Sequence, residues 1–207
     1  MRKVLGVCMV MGALLAGAAK ADNILVNTGF EDALVGWGSE TGGWAGWGAT
    51  QSDSGFGVAP HSGLHAVMLA VWPTGGGGGI VQKPNVLGNT TYTLSFWSAY
   101  EATYAGGSLN SFVEWHDASD AIISRDSFNN IALGGATVWN QQTLIDVTAP
   151  ANAAWCEVQI NGAEGSSGGA LYIDDATFSA AVPEPATVSL LGLAGLGLLA
   201  LRRRKNK

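Results

Sequence analysis

The chain is predicted to be all-β: an antiparallel β-sandwich of the jelly-roll type with a removable segment at each end. Three observations predict it. Short runs rich in β-branched and aromatic residues recur through the middle of the chain, separated by clusters of Gly, Asn, Ser and Asp. In one of them Tyr92, Leu94 and Phe96 alternate with Thr91, Thr93 and Ser95, the pattern of a half-buried antiparallel strand. No window carries sustained helical periodicity. Strands at this spacing point to a sandwich.

Taken in chain order, the first element is a targeting segment. Arg2 and Lys3 precede an apolar stretch from Val4 to Ala18, and Ala19-Lys20-Ala21 places small residues where a signal peptidase reads them. Residues 1–21 are therefore expected to be a secretory signal peptide, cleaved after Ala21. The 160 residues from Asp22 to Ala181 form the body, enough for one domain with a sizeable core. Its strand runs are His65 to Trp72, Thr91 to Tyr100, Ser111 to His116, Trp139 to Val147, Trp155 to Ile160 and Ala170 to Phe178. Gly75 to Gly79 is an unbroken glycine run and is expected to be a mobile loop, since glycine weakens the interior of a helix or strand.

The body ends at the tripeptide Pro183-Glu184-Pro185, which is followed by an apolar run from Ala186 to Leu201 and then by Arg202, Arg203, Arg204 and Lys205. The run is 16 residues, short of the roughly 20 of an ordinary spanning helix. The terminal cations would stay on the cytoplasmic side and leave the body across the membrane. This tripartite tail (182–207, with a membrane helix at 186–201) resembles the PEP-CTERM sorting signal of Gram-negative bacteria. The resemblance implies an exosortase that recognises and cleaves the tail in the inner membrane, transient membrane contact, and an extracellular or surface destination.

Charge excludes one large class of function. The body keeps Lys83 and Arg125 as its only basic residues against fifteen of the chain's sixteen acids, a formal charge of −13. Such a surface repels phosphate backbones and anionic lipids, so nucleic acid is not a partner. It tolerates Ca²⁺ and neutral polysaccharide, and it also suits plain extracellular solubility. Cys8 leaves with the signal peptide, so Cys156 has no partner for an intrachain disulfide; alternation places it on the apolar face of Val158 and Ile160.

Four ordered blocks carry a second resemblance. Asn27 to Glu31 with Gly36-Trp37, His61 to Val67, Asn89 to Trp97, and Leu171 to Asp175 are similar to blocks of carbohydrate-binding modules with a galactose-binding-like jelly roll. In those modules a structural Ca²⁺ sits where the terminal strands meet, which implies Glu31 with Asp174 or Asp175 as ligands here. Two carboxylates plus loop carbonyls do suit a hard cation. Strand alternation sends Asp174 and Asp175 to opposite faces, so one at most ligates directly. The alternative is that these acids are solvated or accept hydrogen bonds from turn amides. The resemblance also implies that Trp37 seals the core.

Tryptophan faces stack on pyranose rings while acids and amides bind hydroxyls. Trp44 and Trp47 lie in a glycine-rich segment with little core to bury them and are expected to be exposed stacking groups. Trp155, Glu157 and Gln159 share one strand face as a platform of the same kind. Core packing is the expectation for Trp72, Trp97, Trp115 and Trp139. Catalytic readings are weaker. Glu114 and His116 share a face, but no second histidine stands at metal-binding spacing. Ser62 lacks a nucleophile elbow. Acids are plentiful, so a glycosidase carboxylate pair stays open at the level of sequence. The expectation is a non-catalytic exported protein that binds matrix polysaccharide, or else a structural biofilm component without a specific ligand.

Overall fold

A computed structural model describes residues 22–54, 57–70, 77–104, 107–163 and 168–181. The signal peptide, the sorting tail with Pro183, Glu184, Pro185, Arg202, Arg203 and Arg204, its apolar run, and Trp72 lie outside the described residues. Among the described residues, ten strands form two five-stranded antiparallel sheets. They are β1 (Ala45–Trp47), β2 (Ala49–Ser52), β3 (Ala66–Ala70), β4 (Gly77–Gln82), β5 (Thr91–Tyr100), β6 (Ser108–His116), β7 (Ile122–Ile131), β8 (Asn140–Thr148), β9 (Trp155–Ala163) and β10 (Ala170–Ala180). One sheet runs β1-β4-β9-β6-β7 and the other β2-β3-β10-β5-β8, the sandwich expected from the sequence.

Alternation does the sorting. In β9, Cys156, Val158 and Ile160 are fully buried while Trp155, Glu157 and Gln159 are half-buried on the opposite side. In β5, Leu94 and Phe96 point into the same core, where Tyr92 stacks on Phe178 of β10 at 4.9 Å. Burial pushes the Cys156 thiol well above its usual range, so the free cysteine is an inert packing group. The two ends of the body also meet: Ile24 N–H donates to Phe178 C=O, and Asn23 bridges Ser179.

Four strands, β1, β2, β4 and β7, lie outside the runs expected from the sequence, and two of them have a clear physical reason. Gly77 to Gly79 belong to β4, pairing with Ala163, Gly162 and Asn161 of β9, and do not form a loop. The reason is steric. Gly79 lies opposite Trp47 of β1, and a Cβ there would fall 2.1 Å from the Trp47 ring. Glycine leaves the space in which the indole lies on the sheet. The second difference is β7, which sequence reading missed. It is an edge strand paired with β6 alone, and its polar composition carries little apolar signal.

Candidate functional site

The outer face of the β1-β4-β9-β6-β7 sheet concentrates the chain's chemistry. Strand register sets out its side chains in rows. Asn161 is opposite Asn110, Gln159 opposite Phe112, Glu157 opposite Glu114, and Trp155 opposite His116. Arg125 of β7 extends the glutamate row beyond Glu114, and Lys83, just past β4, extends it on the other side of Glu157.

The row is tightly bonded. Arg125 Nε donates to Glu114 Oε2 at 2.9 Å, and the guanidinium carbon lies 4.2 Å from the Phe112 ring centroid. His116 Nε2 is 3.0 Å from Glu114 Oε1. Lys83 Nζ sits between Glu157 Oε2 at 3.8 Å and Glu40 Oε2 at 3.9 Å. Burial pushes the Glu157 carboxyl upward, opposed by Lys83 and reinforced by the Glu114 carboxylate alongside. Glu40 moves the other way: the Gly38 N–H, at 2.9 Å from its Oε1, holds it below the usual carboxylate range.

At the Trp155 end of this face a cavity of about 600 Å³ is lined by Gly38, Glu40, Lys83, His116, Asp120 and Trp155, among others. The Trp155 ring is held on both its polar and its apolar side. It stacks on His116 at 3.8 Å and 12°, and its Nε1 donates to Asp120 Oδ1 at 3.1 Å. The other aromatic landmark is Trp47, over Gly79, with the exposed Trp37 ring 6.2 Å away. Gly79 pairs with Asn161, six residues from Trp155 along β9, so the two landmarks stand roughly 20 Å apart at about 3.3 Å per residue.

Trp155, Glu157 and Gln159 thus share the face expected from alternation, and Trp47 lies on the same face at its β1 edge. Trp44 does not join them. It is fully buried, 5.6 Å from Phe30, and takes the core position expected of Trp37, which is 62% exposed. The glycines around Trp44 do not leave it exposed, because the indole joins the main hydrophobic core cluster. Its Nε1 is the buried side-chain polar atom without a hydrogen-bond partner among the described residues. Trp115 packs in the core as expected. Trp97 and Trp139 are half-buried on the outside of the other sheet and enclose His61 at 3.9 Å and 5.7 Å.

Glu31, Asp174 and Asp175 converge on a single turn, residues 61–65. Asp174 Oδ2 accepts from the N–H groups of His61 (2.9 Å) and Ser62 (3.1 Å). Asp175 takes His61 Nδ1 at 2.6 Å and Ser62 Oγ at 2.7 Å, and Glu31 Oε1 accepts from Leu64 and His65 N–H. Alternation fails here because β10 changes register between Asp174 and Thr177 and Asp175 adopts φ of 46°, which turns both carboxylates to the same turn. The oxygens face N–H and O–H donors, and among the described residues no three His, Cys, Asp or Glu side chains converge as ligands.

The comparisons with known proteins give first a class of fold. TmCBM61, solved in complex with β-1,4-galactotriose, matches with a TM-score of 0.52 at 16% identity, over 78% of this chain and 100% of that one. A family 16 carbohydrate-binding module matches with a TM-score of 0.52 at 21% identity, over 75% and 99%. The enzymatically active domain of tailspike protein 4 from bacteriophage CBA120 gives a TM-score of 0.55 at 17% identity, over 77% of this chain but only 21% of that chain. The body therefore has the jelly-roll fold of carbohydrate-binding modules. Residues 181–205 then match the PEP-CTERM protein-sorting motif, which implies export, exosortase processing and a surface or extracellular destination. A comparison with curated proteins gave no match.

Proposed function

We propose that this protein is exported through the inner membrane of a Gram-negative bacterium and binds matrix polysaccharide, without catalysis, on the outer face of the β1-β4-β9-β6-β7 sheet. The observation that carries the reading is the exposure of Trp37 and the half-burial of Trp47 and Trp155 on one face, with amides and carboxylates between them. A purely structural matrix protein has no need of solvent-facing indoles, whose burial would be worth about 1.5–3 kcal/mol or more apiece. Arg125 and His116 engage both oxygens of Glu114, which takes this one carboxylate out of the set of free acids and bases on the face.

The test is equilibrium binding of the purified protein to a panel of soluble neutral polysaccharides. Retention of at least one polymer, weakened by Trp47→Ala, is the expected result; no binding to any polymer overturns the reading. The carboxylate cradle around residues 61–65 enters as a scaffold held by hydrogen bonds. Excess chelator is accordingly expected to leave the melting temperature unchanged. A melting temperature that rises with added Ca²⁺ would assign an ion to Glu31, Asp174 and Asp175.

A further inference from the structure

We infer that the outer face selects uncharged polysaccharide and rejects anionic glycans; the inference rests on the binding role proposed for that face. The domain's two cations both lie here, and neither is free. Lys83 is shared between Glu40 and Glu157, and Arg125 is committed to Glu114. The remaining charges around the cavity are acidic, since Glu40 and Asp120 line it beside a single lysine. Lys83 also sits over the Trp155 ring, its Nζ 5.8 Å from the centroid, so a uronate or sulfate entering the cavity beside them would meet carboxylates with no unpaired cation to compensate, inside a domain of formal charge −13. Sugar hydroxyls meet no such penalty. They donate to Glu40, Glu157 or Asp120 and accept from Lys83 or from Asn85, which also lines the cavity. Glu40 and Glu157 are thus the specificity-determining residues: they hold Lys83 neutralised and keep the cavity closed to acidic sugars.

The experiment compares each neutral polymer that the protein retains with the same polymer after oxidation of its primary hydroxyl to a carboxylate. The wild-type protein is expected to bind the oxidised form at least about tenfold more weakly. The gap should narrow as salt rises, because repulsion between charges is screened. The double variant Glu40→Gln with Glu157→Gln, which leaves Lys83 unpaired, is expected to close most of the gap by improving binding of the oxidised polymer. Single Glu157→Gln should act in the same direction and covers the case in which the double variant does not fold. Equal wild-type affinity for both forms overturns the inference, as does a gap that neither salt nor a folded variant changes. Failure to bind every neutral polymer removes the proposed binding face itself, which keeps the two failures distinct.

Discussion

Trp155→Ala is expected to weaken polysaccharide binding by about thirtyfold or more, with the fold retained. A central aromatic anchor is worth about 2 kcal/mol or more on truncation, and about 1.4 kcal/mol corresponds to a factor of ten. The magnitude follows from pre-organisation: stacking on His116 and the bond to Asp120 fix the indole before any ligand arrives. Trp155→Phe keeps a stacking face but loses the Asp120 bond, so an intermediate loss is expected. Calorimetric titration with the retained polymer, beside a melting curve for each variant, measures both effects. An unaltered affinity in a folded Trp155→Ala protein would remove Trp155 from the site.

Asp174 carries the second large effect, on stability. The residue is fully buried, and its carboxylate accepts from three backbone N–H groups: His61, Ser62 and Asp175. Asp174→Ala leaves those donors unpaired, and about 3 kcal/mol or more of stability is expected to go. Charge adds a pH dependence. Burial pushes the Asp174 carboxyl up to about 6 from 3.8, against the lowering effect of the N–H bonds. A pKa raised in the folded state stabilises below the unfolded value and loses that contribution as pH rises through the folded value. The Asp174 contribution is therefore full below about pH 4 and gone above about pH 6, a span worth up to about 3 kcal/mol. Urea unfolding from pH 4 to 7 should show it as the difference in pH slope between wild type and Asp174→Asn. Parallel slopes would contradict it.

How legible the site was depended on the kind of information each residue carries. Period-two alternation is local, so it placed Trp155, Glu157 and Gln159 together without knowledge of any neighbour. Glu40, Lys83, Arg125, Asp120 and His116 come from separate segments, and only strand register brings them to the same row. A signal was present all the same: in a body with fifteen acids, the two cations were the residues to follow. Trp44 took the core role that the resemblance implied for Trp37, and its own burial was not foreseen because glycine-rich surroundings indicate backbone freedom and say nothing about what covers a side chain. Asp174 and Asp175 defied alternation for a related reason, since a register change and a positive φ are settled by the packed turn opposite them.

The amino-acid sequence alone determined the fold class, the acidic body and the sorting tail. Each of these is written in short-range periodicity or in contiguous composition. Tertiary structure decided which indoles face water, why glycines stand inside β4, and how the two cations are neutralised. Those outcomes depend on contacts between residues distant along the chain, and such contacts exist only once the two sheets have closed on their core.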